Sequence, residues 1–207
     1  MKPIIFSTPM VQAILAGRKT QTRRIVKPQP SSGIRKSVFV KSGLEDGHGR
    51  EIKPRYQPSD ILWVRETFCE VPYEHNHVSI KGGYITIPKY AYKADSERDY
   101  TGIWKPSIHM PREAARIFLR VTSVRVERLQ EITAEDVIRE GIEYSDSGPY
   151  HWHVLDTKLN AWINFHFHDE AFKHLWDSLN AKRGYGWDTN PWVWVIEFER
   201  ISRTGGE

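Results

Sequence analysis

Gly17-Arg18-Lys19-Thr20-Gln21-Thr22-Arg23-Arg24 stands between an amphipathic segment and a strand-like one, and its reading decides the fold. Upstream, Ser7 or Thr8 is placed to cap a helix whose first turn holds Pro9. Met10, Ile14 and Leu15 have the spacing of one buried helical face. Gly17 ends that helix, because glycine takes the left-handed conformation found just past a helix end. Beyond it, Thr20, Thr22 and Arg24 alternate with Gln21, Arg23 and Ile25, so an extended strand projects Thr22 and Arg24 from one face, with Lys19 arriving from the turn. A lysine desolvated beside other cations loses its proton near neutral pH, and a threonine hydroxyl beside such a base is an activated nucleophile. Arginine keeps its charge and offers a planar fork to carbonyls or phosphates. The same letters also spell an ordinary helix stop followed by a solvated basic strand.

Outward from this stretch, Ile61 to Phe68 alternates as a strand with Leu62, Val64, Glu66 and Phe68 on one face. A glutamate on an apolar face is costly to bury alone, so Glu66 is expected to meet a cation such as Arg24, or a ligand's amino group. Ile117 to Glu127 reads as a long strand. Thr133-Ala134-Glu135-Asp136 reads as a capping box with Asp in place of Glu, opening a helix that Gly141 ends. Glu140 then lies in the last turn, where the negative helix end disfavours a carboxylate and suits it to shuttle protons; an ordinary surface glutamate fits the same position. Asp169 to Arg183 is amphipathic, and Pro191 to Phe198 alternates as a closing strand.

A chain of 207 residues is long enough to bury a real core, and 27% charged with 12% aromatic residues is a globular balance. The net charge of +4 is uneven: residues 1–60 carry 12 Lys and Arg against 4 Asp and Glu, a net +8, leaving −4 for the rest. Such a segment attracts polyanions, or is simply a solvated surface. One cysteine, Cys69, permits no intramolecular disulfide and fits a reducing cytoplasm. The N-terminal apolar run is too short for a signal peptide, and no stretch has the length of a membrane span, so a cytoplasmic protein without membrane attachment is expected.

Three stretches break the strand and helix pattern and read as insertions, at about 27–58, 70–104 and 145–168. In the first, Val38-Phe39-Val40 reads as a short hairpin strand. In the second, Tyr84 to Ile87 and Tyr90 to Tyr92 read as a hairpin around Pro88 and Lys89, and Glu74-His75-Asn76-His77 has the letters of an HNH nuclease without its spacing. In the third, His151-Trp152-His153 and His166-Phe167-His168-Asp169 offer imidazole pairs, though without the cysteines usual in structural zinc sites. Between the second insertion and the long strand, Trp104-Lys105-Pro106-Ser107-Ile108-His109-Met110-Pro111 forms a prolyl, aromatic loop. It is able to stack an indole on a base or to plug the end of a barrel.

Gly17-x-Lys19-x-x-Thr22-x-Arg24 resembles the G-x-K-x-x-T-x-R signature of the ASCH domain, a small β-barrel family related to the PUA RNA-binding domains. Ser59-Asp60-Ile61-Leu62-Trp63-Val64 resembles that family's G-D-x-L-x-V strand entry, with serine for glycine. The tryptophan-rich end and the Trp104 loop are similar to those of the long ASCH proteins of phages and prophages. The resemblance implies an α+β, PUA-like mixed β-barrel with flanking helices, one domain over 1–207, and no cofactor or metal. Small bacterial members that act on N4-acetylcytidine use a Lys, a Thr and a Glu; Lys19 and Thr22 match through the signature, and Glu140 through its helix alone. The expectation is an amidohydrolase of an acylated nucleobase or nucleoside, with Lys19, Thr22 and Glu140 catalytic and Arg24, Trp63, Glu66, Trp104 and Ser107 binding substrate. The alternative is a module that binds RNA or a modified base without turnover. The oligomeric state is open.

Overall fold

A computed structural model describes residues 1–71, 77–80, 83–86, 89–95 and 103–202. The chain begins with β1 (Lys2–Ile5), α1 (Thr8–Leu15), β2 (Gln21–Ile25), β3 (Ile34–Lys36), β4 (Leu44–Asp46) and β5 (Ile61–Arg65). It continues through β6 (Phe68–Glu70), β7 (His77–Ile80), β8 (Gly83–Thr86), β9 (Tyr90–Tyr92) and β10 (Phe118–Arg128). Then follow α2 (Ala134–Arg139), β11 (Glu143–Tyr144), β12 (Trp152–Asp156), β13 (Ala161–Phe165), α3 (His168–Asn180) and β14 (Trp192–Ile201). The architecture is mixed α+β and mostly sheet, and no closed barrel is found among the described strands.

Two compact units form, the first from Met1–Ala16, Ile61–Leu119 and Arg200–Glu207, the second from Gly17–Asp60 and Arg120–Glu199. In the first, β1 lies parallel to β5, from Lys2 opposite Leu62 to Ile5 opposite Arg65. Helix α1 has Pro9 in its first turn and buries Val11, Ala13 and Ile14, while Met10 and Leu15 of the expected face are half-buried. A core of Trp63, Phe68, Met110, Ala114, Ala115 and Phe118 fills this unit. Residues Tyr90–Tyr92 pair with β6, not with the preceding strand; β8 pairs with β7 instead. Alternation marked both strands, but partner choice is non-local: pairing with β6 buries Ala91 beside Cys69 and Val71. Residues 74–76 of the HNH-like letters lie outside the described residues.

In the second unit, β10, β14 and β2 are neighbours in that order, and β14 runs antiparallel to β2. Val193 and Val195 face Ile25 and Arg23 in register, and both valines enter a core with Val137 of α2 and with Phe172 and Trp176 of α3. Trp194 and Ile196, opposite Arg24 and Thr22, occupy the other face and are also buried. Helix α2 has the expected capping box, Thr133 accepting from the Asp136 amide at 3.2 Å. Strand β3 pairs with β4, and residues 38–40 are the bend between them, not a strand. The turn needs them there: Ser37 N donates to Gly43 O at 2.9 Å and closes the loop.

Candidate functional site

Lys19 leaves the helix stop and turns inward just before β2, and it is 2% exposed. Its ammonium donates to the Gln21 carbonyl at 2.7 Å, the Glu140 carbonyl at 2.7 Å and Glu140 Oε2 at 2.8 Å. Glu140 is the C-cap of α2 and 5% exposed, so the helix end sets its carboxylate directly over the turn. Burial pushes the Lys19 amine below the ordinary lysine value, against the opposing pull of Glu140; Arg24 and Arg23 add to the depression.

Arg23, which sequence reasoning passed over, completes the arrangement. Strand alternation turns it to the face opposite Arg24, where its guanidinium donates to Glu140 Oε1 at 3.4 Å, to Asp136 Oδ2 at 2.9 Å and to Glu127. It also lies over the Phe172 ring, 5.7 Å from its centroid. Arg125 links Glu127, Asp136 and Glu197 into the same network. Burial works against the Asp136 carboxylate, yet Arg23 beside it and the Thr133 amide hold it below the usual aspartate value. The signal for Arg23 was present in the period of two: Ile25, its neighbour on that face, is apolar.

Thr22 and Arg24 project from one strand face, as the alternation predicted. Thr22 is 3% exposed and makes no hydrogen bond from its side chain to a described residue. Arg24 is half-buried; its charge is disfavoured by burial, supported by Tyr56 and Glu140, and opposed by Arg55 and Arg183. Lys19, Arg23, Arg24 and Glu140 therefore form one electrostatic group.

Trp63, Glu66, Trp104 and Ser107 belong to the first unit. Trp63 is buried under the Arg65 guanidinium, which lies 5.5 Å from its ring. Glu66 does not meet Arg24: Arg116 Nε reaches its Oε1 at 2.9 Å and Arg116 Nη2 its Oε2 at 3.0 Å. Arg116 belongs to the same unit as Glu66, and its fork satisfies both oxygens of the buried carboxylate. Burial raises the Glu66 carboxyl, and the Arg116 fork opposes that rise. Trp104 is half-buried against Cys69, Val71 and Ala91, and Ser107 opens a short 3-10 turn to His109.

The histidine pairs of residues 151–168 are spread among different partners: His153 bonds Asn164 at 2.7 Å, and His166 packs on Tyr150. Among the described residues no three His, Cys, Asp or Glu side chains gather as metal ligands would. A groove of about 640 Å³ runs beside α3, lined by Asp156, Phe165 and His174, and includes none of the candidate residues. No described helix is long and apolar enough to cross a membrane. No family model, curated protein or solved structure matches the chain.

Proposed function

We propose that this chain is an ASCH-type protein of PUA-like fold that hydrolyses the amide of an acylated nucleobase or nucleoside, of the N4-acetylcytidine class. The observation that carries the reading is the buried Lys19–Glu140 pair, joined at 2.8 Å across 121 residues of sequence. Ser59 lends support to the family: it has φ +73°, the conformation for which the family pattern supplies glycine.

The chemistry follows from the pair. Burial disfavours the Lys19 charge, so when substrate is bound a proton moves along the 2.8 Å bond from the Lys19 ammonium to Glu140 Oε2, giving an amine and a carboxylic acid for the reaction. The amine takes the proton of Thr22 or of a water as that oxygen bonds to the acyl carbon. Glu140 gives its proton to the leaving amine as the C–N bond breaks, and both residues return to their starting charges. Arg24 orients the substrate. If Thr22 is the nucleophile, a water then hydrolyses the acyl ester. Release of cytidine from N4-acetylcytidine by the purified protein, resolved by mass, tests this; Lys19→Ala and Glu140→Ala abolish it. Glu140→Gln, which keeps a hydrogen-bonding side chain but no transferable proton, also abolishes it. Absence of turnover by the wild-type protein overturns the reading.

A second reading, binding of RNA or a modified base without turnover, is favoured by one feature. All three Lys19 N–H groups are spent on protein acceptors, as in a structural strut. Salt-sensitive RNA binding without hydrolysis decides for it.

A further inference from the structure

The bend between β3 and β4 carries two of the most exposed apolar side chains described, Val38 at 92% and Phe39 at 93%. They are presented by a loop that is internally tied. Phe39 N donates to Ser37 Oγ at 3.2 Å, Gly43 N to Val40 O at 3.0 Å, and Ser42 N to Glu51 Oε1 at 2.7 Å. A ring held out on such a loop loses little freedom when it meets a partner.

Charge says what that partner is. The acids of this hairpin are engaged by arginines, Glu45 by Arg35 at 2.8 Å and Asp46 by Arg50 at 2.9 Å. Lys36 and Lys41, exposed on either side of the bend, make no ion pair with a described residue. An aromatic face between two exposed cations, of which Lys41 also feels the Glu51 carboxylate without pairing with it, matches a polyanion that also offers planar faces. A bilayer is a poorer match, because surface binding draws on a broad apolar helix face or on clusters of four to eight basic residues.

We propose that the β3–β4 hairpin docks single-stranded nucleic acid, with Phe39 stacking on a base and Lys36 and Lys41 meeting the flanking phosphates. This rests on the reading above only in taking nucleobases as the ligand class, and it makes a polymer, not a free nucleoside, the thing captured. The test is fluorescence anisotropy of a labelled short oligouridylate with the full chain at several salt concentrations, run beside N4-acetylcytidine hydrolysis. Phe39→Ala weakens binding about tenfold, the lower part of the range for one stacked base. Lys36→Ser and Lys41→Ser each reduce the slope of log affinity on log salt by about 0.7, one single-strand phosphate contact. All three positions are exposed, so the variants fold, and hydrolysis of the free nucleoside is unchanged in them whether or not the wild type performs it. No binding by the wild type, equal affinity of Phe39→Ala and wild type, or Phe39-dependent co-sedimentation with anionic phosphatidylserine vesicles in place of oligonucleotide binding overturns the proposal.

Discussion

Replacing Lys19 by Met removes a buried ammonium and the donors of three hydrogen bonds, leaving Glu140 facing Arg23 without its closer partner. Breaking a buried pair costs about 3–5 kcal/mol because the surviving charge stays desolvated. Arg23 still reaches Glu140 Oε1, at 3.4 Å, so the lower end applies, about 3 kcal/mol. In a chain of this size each kcal/mol moves Tm by about 2–4 °C, giving a fall of about 6–12 °C. Glu140→Gln alone leaves the Lys19 ammonium buried with carbonyl acceptors only and destabilises comparably. The double variant leaves neither charge, so it is more stable than the sum of the singles by about 2 kcal/mol. Urea unfolding followed by tryptophan fluorescence measures all four proteins. A Lys19→Met variant within about 1 kcal/mol of wild type, or additive effects in the double variant, would refute the account of this pair as a desolvated, coupled unit.

Further outcomes follow from other residues. Ser59 sits at the third position of the Gln57–Asp60 turn, after Pro58, where a type II turn demands positive φ. Ser59→Gly should therefore raise stability by about 1 kcal/mol, the left-handed penalty of an L side chain, read as a higher Tm; no rise would contradict the strain. Asp136 is held below its unfolded-state value, so its contribution is complete above the ordinary aspartate range. That contribution is lost as pH falls through the lower native value, because the unfolded chain then binds the proton first. Unfolding curves from neutral to acid pH should be shallower below about pH 4 for Asp136→Asn than for wild type, and parallel curves would count against the assignment.

Much of the local architecture was legible because its causes are local. Gly17 at φ +76°, the Thr133–Asp136 box and the period of two through Gln21–Ile25 are each decided by residues within a few positions of one another. The same period placed Thr22 and Arg24 on one face, and the helix end placed Glu140. What failed was choice of partner. Glu66 was rightly read as needing a cation, but nothing near it in sequence distinguishes Arg24 from Arg116, which is 50 residues away. Tyr90–Tyr92 was rightly a strand and wrongly paired, and Val38-Phe39-Val40 was apolar enough for a strand but lies where the chain must reverse.

The sequence by itself determined the helices α1, α2 and α3, the strands β2, β5, β10 and β14 and the Thr133 cap of α2, though not the expected side-chain cap of α1, where Ser7 makes no such bond. It also placed a lysine, a threonine and an arginine at the entry to β2. Only the tertiary structure decided that Lys19 is sealed against Glu140, that Arg23 and not Arg24 forks onto the carboxylates of α2 and β10, and that Phe39 stands outside the core. Backbone propensity is read from neighbours, whereas the desolvation that turns two distant ions into one coupled pair depends on everything packed around them.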